Sequence, residues 1–497
     1  MKKQFSNYIL ASMMLITSFS SCKKLEDLNI NPNNPEEAHP QLLLTKIEWD
    51  AFRDYNVTSP LYIAKMLVQT DGENTGQYYK WDRFEYDAYG KLRDVTKMNE
   101  EAERIGDPYY VALAKFFRAY YFYNITLTFG DVPYTGALKG EENAAFTPAY
   151  DSQKMVLVGV LNELAEANEL LRNANGTILG DIIHGGSPAK WQQTINAFRL
   201  KVLLSLSKKE DDADLAVKNT FASIANEQPI LSGSSDDAQL VFLNQEGNRY
   251  PQFNSSSFGS GMYMDSTFIK LLQDKQDPRL FAFCTQTRLG QEQGKAINDF
   301  SAYEGGDPAA PYADVNLKAA AGRTSKVNER YHKDPINEPL VLIGYAEQEL
   351  ILAEAIIRGW FIGDAQAHYE KAVKASFKFY ETHAASYTSY LTENAAIDYL
   401  RKAANNWAQA RNFDEQLQLI ITQKYIQSYF QGGYSAFREH LRTGYPTFRR
   451  PPGVTIPYRW MYPQSEYNYN SEQVSAAIAR QFGEGNDNIH QITWWLQ

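Results

Sequence analysis

Cysteine is nearly missing from this chain of 497 residues: only Cys22 and Cys284 occur. At most one disulfide could form, so a cystine-stapled scaffold is excluded and the fold must rest on a core, which this length can bury. Positive charge is also short. The formal net charge is −10, and a body without surplus Lys and Arg is a poor ligand for nucleic acid phosphates. Catalytic patterns are missing too. The seven histidines are scattered, with no His-x-x-x-His or His-Glu-x-x-His spacing for zinc. No Gly-x-Ser-x-Gly elbow occurs; Gly259-Ser260-Gly261 lacks the spacing and reads as a flexible turn. Gly483-Glu484-Gly485 is not followed by the glycine or lysine of a phosphate loop. No acid/base pair stands out among 59 acidic residues, which leaves a hydrolase as a minor alternative. The chain is expected to be no enzyme and to need no cofactor or metal. Asp27, Asn29 and Asn31 have calcium-loop spacing, but Pro32 and Ala38 stand where an EF-hand needs glycine and glutamate. Beyond the first 21 residues no apolar run is long enough to cross a bilayer.

What is present begins at the N-terminus. Lys2 and Lys3 form a basic start, an apolar stretch runs from Tyr8 to Phe19, and Ser18, Ser20 and Ser21 lead into Cys22. This is a secretory signal over 1–21, too short to span a membrane. A thiol directly after small residues, with no apolar stretch behind it, is what acylation and signal removal require. Cys22 is therefore expected to become the first residue of a lipid-anchored chain, with a net charge of −12 once the two lysines are gone. Residues 22–40, rich in Asn and Pro, read as the lipidated tether. With Cys22 acylated, Cys284 has no partner, and beside Phe281 and Phe283 it reads as a small core residue.

Helix dominates after the tether. Residues 108–127 open with Asp107 as cap and Pro108 in the first turn, and 188–208 repeat the scheme with Ser187 and Pro188. Trp191, Ile195, Phe198, Val202 and Leu206 fall on one buried stripe. Residues 345–380 read as a helix pair, stopped at Gly359 and restarted at Asp364. Further helices are expected at about 41–57, 60–70, 87–104, 151–173, 211–225, 264–273, 389–404, 412–430 and 433–442. Helix, tight turn, helix is the unit of a tetratricopeptide-like stack, here with degenerate repeats. The fold class is all-α: a helix-pair core over about 41–227 and 341–445, with an irregular second layer over about 228–340 and 446–497, in one domain from 41 to 497.

The segments 228–263 and 285–340 lack helical stripes and carry Gly, Ser, Pro and Asn among scattered aromatics: Tyr250, Phe253, Tyr263, Tyr303, Tyr312 and Tyr331. Residues 71–89 are similar. Long irregular segments are often functional, and a sugar ring stacks its apolar face on Trp or Tyr while amides and guanidinium groups pair with its hydroxyls. The competing reading is that each ring pins its loop to the body. On the first reading the ligand site comprises Trp81, Tyr78 and Tyr79, with Tyr303 and Tyr331 opposing them and Asn74, Gln77 and Arg330 supplying hydrogen bonds. Rings flanked by Gly, Asn, Gln and Ser are expected to face water.

Several strings together give a resemblance. They are the Cys22 lipobox with Asp27–Pro35; Phe129-Gly130-Asp131-Val132-Pro133-Tyr134; Lys190-Trp191 with Asn196 and Arg199; and Asp277-Pro278-Arg279-Leu280. Ala353-Glu354-Ala355 with Arg358-Gly359-Trp360, then Arg442–Pro446, Pro457-Tyr458-Arg459, Asn486-Asp487-Asn488 and Trp494-Trp495 complete the set. In order and number they resemble the SusD/RagB family of nutrient-binding outer-membrane lipoproteins, most closely its second SusD-like subgroup. The resemblance implies a tetratricopeptide-like helical core and a binding protein at the cell surface. It also implies that the protein caps a TonB-dependent, SusC-like transporter barrel and passes an oligosaccharide inward. A peptide ligand and a helical scaffold without small ligand are the alternatives. Lys23 and Lys24 stand where surface-exported relatives carry acidic residues.

Overall fold

The computed structural model describes residues 39–53, 56–140, 146–258 and 261–497. The calls on Cys22, the signal and most of the tether therefore fall outside the described residues.

Helix α1 spans Gln41–Arg53, α2 Asp87–Ile105, α3 Pro108–Phe129, α4 Gln153–Leu170, α5 Pro188–Ser205 and α6 Val217–Glu227. Neighbours in sequence pack as neighbours in space, α2 on α3, α3 on α4, α4 on α5 and α5 on α6. The caps explain where they start. Asp107 accepts from the Tyr109 N–H at 2.9 Å ahead of Pro108, and Ser187 accepts from the Lys190 N–H ahead of Pro188, each satisfying an otherwise orphaned donor. Trp191 is fully buried, its ring centroid 5.5 Å from Phe116 and 5.7 Å from Phe117, so the stripe on α5 is core.

A short helix follows at α7 (Ser266–Asp274), then α8 (Tyr345–Ile357), α9 (Ala365–His383), α10 (Glu393–Arg401), α11 (Phe413–Gln427) and α12 (Ser435–Thr443). α8 and α9 form the expected pair. Gly359 holds φ +73° behind α8, and Asp364 caps α9 by accepting from the Ala367 N–H. α8 also packs on α5 and on α11, which joins the two helical stretches into one core. None of the described helices is long and apolar enough to cross a membrane.

Strands are few and short. β1 (Leu67–Gln69) pairs antiparallel with β3 (Met262–Met264), and β2 (Ala238–Leu240) pairs antiparallel with β4 (Leu340–Ile343), with a register shift between Ala238 and Gln239. The helix expected at 60–70 is thus corrected. A short helix, Ser59–Ile63, ends before Lys65, whose φ of +58° is incompatible with continuing it, and 67–69 turn into β1. The irregular layer also contains helices that the pattern did not show, at Tyr312–Ala320 and at α13 (Ser471–Phe482).

Several of the strings that carry the resemblance turn out to be clasps. Arg279 and Asp277 are both fully buried, and the Arg279 guanidinium donates to Asp277, to Ser376 Oγ on α9 and to Gln423 Oε1 on α11. Arg459 is fully buried as well, donating to the Phe129 carbonyl at the end of α3 and to Asp487. Arg480 on α13 donates to Asp131 in the turn that follows α3. These pairs pin the second layer to the helical core, and each buried charge has a partner, as the cost of burial demands.

Candidate functional site

The loop 71–84 leaves β1 and folds back over the body, held by backbone-directed contacts. Lys65, fully buried beneath it, donates to the Gln77 carbonyl and lies 3.9 Å from the centre of the Tyr79 ring. Burial pulls the Lys65 ammonium down to about 7 despite the nearby Asp265. The Asn74 side chain accepts from the Gln77 N–H at 3.0 Å, closing the turn. The Gln77 amide accepts from the Gln69 N–H at 2.8 Å and donates to the Pro308 carbonyl. Tyr78 donates to the Ala310 carbonyl at 2.8 Å and Tyr79 to the Ile63 carbonyl at 3.0 Å. Trp81 donates from Nε1 to the Arg459 carbonyl at 3.1 Å and stacks on Trp460.

The expectation that these rings face water is therefore corrected. Gln77, Tyr78 and Tyr79 are buried and Trp81 is only 9% exposed. Glycine and amide neighbours marked a loop, but the rings turn inward because each polar tip finds a backbone carbonyl there. Tyr303 and Tyr331 do not oppose Trp81. Tyr303 donates to the Ile297 carbonyl and packs on Phe281, whereas Tyr331 stacks on Phe430 with centroids 4.6 Å apart. The ring neighbours of Trp81 are Tyr79, Phe437 and Trp460, a separate cluster. Arg330 is committed to Glu338 and Asn337 and lies over the Tyr331 ring. Cys284 is buried, its Sγ directed at the Leu280 carbonyl, and burial pushes its thiol up, which makes it inert.

Other residues carry the outer surface of this loop. Phe84 is 42% exposed and leans on Trp460, ring centroids 6.1 Å apart. Its neighbour Arg83 donates to the Tyr462 carbonyl and to Asp487 and covers the Tyr467 ring at 4.6 Å. On the other flank, where Tyr78 meets Ala310, Tyr312 is 41% exposed. Asp307 and Arg449 form a two-pronged ion pair there, 2.7 and 2.6 Å. Hydrogen bonding from Arg449 holds the Asp307 carboxyl below its ordinary range. Glu73 and Lys80 pair on the rim. Two rings are open to solvent, Phe84 on the hydrogen-bonded loop and Tyr312 at the start of the helix Tyr312–Ala320, and the charged pairs Asp307–Arg449 and Glu73–Lys80 accompany them. Such a surface can stack planar apolar faces and pair with hydroxyls; no nucleophile with an adjacent base is part of it. Tyr312 was among the loop aromatics visible in the sequence. Phe84, between Arg83 and Glu85, and Trp460 carried no comparable signal.

The model of the SusD-like_2 family, described as starch-binding and associating with the outer membrane, matches residues 32–463. A SusD homologue from Bacteroides fragilis NCTC 9343 is 50% identical with a TM-score of 0.89, covering 93% of this chain and 100% of its own. A second SusD homologue from the same strain is 33% identical, TM-score 0.85, covering 92% and 100%. A chitin-binding SusD homologue from Flavobacterium johnsoniae shares the fold at 20% identity and TM-score 0.71, covering 91% and 98%. No curated protein matches.

Proposed function

Because the chain belongs to the SusD-like family of outer-membrane-associated nutrient-binding proteins, which bind rather than catalyse, we propose that it captures an oligosaccharide at the outer membrane and delivers it to a TonB-dependent, SusC-like transporter barrel. Cys22 carries the lipid anchor, and the body faces the cell exterior. The observation that supports this most directly is the loop 71–84. Closed by Asn74 and tied to the body through Gln77, Tyr78, Tyr79 and Trp81, it leaves Phe84 open to solvent, and Tyr312 at the start of the neighbouring helix Tyr312–Ala320 is open as well.

A stiff loop with open rings loses little conformational freedom when a sugar stacks on it. In this reading Trp81, Tyr78 and Tyr79 are the second row of the site. They position the loop and back the contacting rings, while Phe84 and Tyr312 stack and Arg449, Asp307 and Lys80 meet hydroxyls. Tyr303, Tyr331 and Arg330 belong to the body behind it. Starch oligosaccharides are the first probes, from the family description, and chitin oligosaccharides the second, from the fold relative that binds chitin.

The test is calorimetric titration of the protein with maltooligosaccharides, chitooligosaccharides and mixed peptides. Saturable glycan binding supports the reading. Binding of peptides alone would transfer it to the peptide-binding alternative.

A further inference from the structure

A partly open cavity of about 110 Å³ lies between the helices, away from the loop 71–84, where α5, α8, α9, α11 and α12 converge. One wall is apolar, from Ala375 and Phe379 on α9, Val341 on β4 and Ala436 on α12. The other is rich in hydrogen-bond donors. Gln427 turns its Nε2 into buried space without a partner among the described residues. Lys424 also lines the cavity, and its Nζ has only long contacts, 3.4 Å to Glu354 and 3.4 Å to Glu439.

Those carboxylates are already taken. Arg442 holds both Glu354 and Glu439, and Arg358 donates to Glu354 at 2.8 Å. The buried cluster therefore sets three cations, Arg358, Lys424 and Arg442, against two carboxylates. Lys201, at the edge, is matched by Glu347 at 2.9 Å. Asp237, across the cavity, accepts from the Tyr345 N–H, and burial pushes its carboxyl up to about 7. It therefore compensates the excess cation only weakly below neutral pH.

A buried donor without an acceptor costs about 1–3 kcal/mol, and Lys424 must share its two carboxylates, each 3.4 Å away, with the arginines that already hold them. What is missing here is acceptor oxygen carrying one negative charge, beside an apolar wall. We propose that this cavity is a second binding site, for a small monocarboxylate with a short alkyl part: its carboxylate between Lys424 and Gln427 Nε2, its carbon chain against Ala375 and Phe379. The volume equals that of roughly three or four waters, which sets the size of the guest.

The experiment uses the folded mature body at pH 6, with propionate as probe, propionamide as its uncharged counterpart, and sodium chloride balancing ionic strength. Titration calorimetry and melting curves are recorded for wild type, Gln427→Leu and Ala375→Leu. Propionate should bind saturably and raise the melting temperature, with propionamide at least roughly tenfold weaker because the charge-assisted bonds are lost. Gln427→Leu should lose roughly tenfold in propionate affinity. Ala375→Leu, at a half-buried position with room in front of it, should fill the cavity and abolish binding while the protein still melts cooperatively. No saturable binding, equal binding of amide and acid, or unchanged binding in both variants would overturn the proposal and leave a cavity that holds water only.

Discussion

Trp81 and Trp460, brought together from opposite ends of the chain, stack with ring centroids 4.8 Å apart and planes 17° from parallel. Trp460 in turn supports Phe84, 6.1 Å away. The inner ring is a joint between the loop 71–84 and the segment 458–462, which also pairs through the bridge between Arg83 and Met461. Within one loop, Trp81 is held against the body while Phe84, three residues on, stays open to solvent.

Trp81→Ala should act on stability. Removing a buried indole leaves a cavity and strips the stack, at a cost of about 3–5 kcal/mol, and frees the Arg459 carbonyl. Denaturant titration should show a lower midpoint. A midpoint equal to wild type would show that the joint carries no load.

Gly359→Val should destabilise mildly. The space around a Cβ there is open, so the cost is the left-handed backbone alone, about 1–2 kcal/mol. A melting curve checks it, and oligosaccharide affinity should be unchanged because neither Phe84 nor Tyr312 lies on the α8–α9 pair.

Asp237 should make stability pH-dependent in a definite direction. Burial raises its folded pKa to about 7 from an ordinary value of 3.8. An acid raised on folding binds its proton more tightly in the native state. Its favourable contribution is complete below about pH 4 and is lost as pH rises towards 7. Asp237→Asn keeps an acceptor for the Tyr345 N–H and removes the titration. The stability of the variant relative to wild type should rise between pH 4 and pH 7; a difference that stays flat over that window would contradict the assignment.

Cys22→Ala should abolish membrane retention. Firm anchoring takes more than one acyl chain, and on this account Cys22 is where the chains attach. Fractionation of cells expressing the variant should find the protein soluble or as uncleaved precursor. Retention at wild-type levels would remove the anchor.

Much of the helical core was legible because its signals are local. Asp107-Pro108, Ser187-Pro188, Gly359 and Asp364 mark boundaries through hydrogen bonds and backbone angles that a few residues settle among themselves. β1 was missed because its partner β3 is far along the chain, and nothing local announces the pairing or the left-handed turn at Lys65. α13 was missed although Asn470, a residue type that favours a helix start, stands before it; its side chain makes no cap, and Asn and Ser mark loops as readily as helix starts. The aromatics were misplaced for a related reason. Gly76, Gln77 and Asn74 reveal a loop around Tyr78 and Tyr79, but the carbonyls of Ile63 and Ala310 that draw the rings inward come from elsewhere. Composition tells where a loop is; which way its rings turn is a tertiary matter.

The most direct measurement of the account is the oligosaccharide affinity of Phe84→Ala and Tyr312→Ala beside wild type, with melting curves as control. Each ring is about two-fifths exposed and supports none of the core. The account predicts melting temperatures close to wild type and a loss of roughly tenfold in affinity for each variant, the equivalent of about 1–2 kcal/mol for one stacking ring. Wild-type affinity in both folded variants, or no saturable oligosaccharide binding by wild type at all, would contradict it.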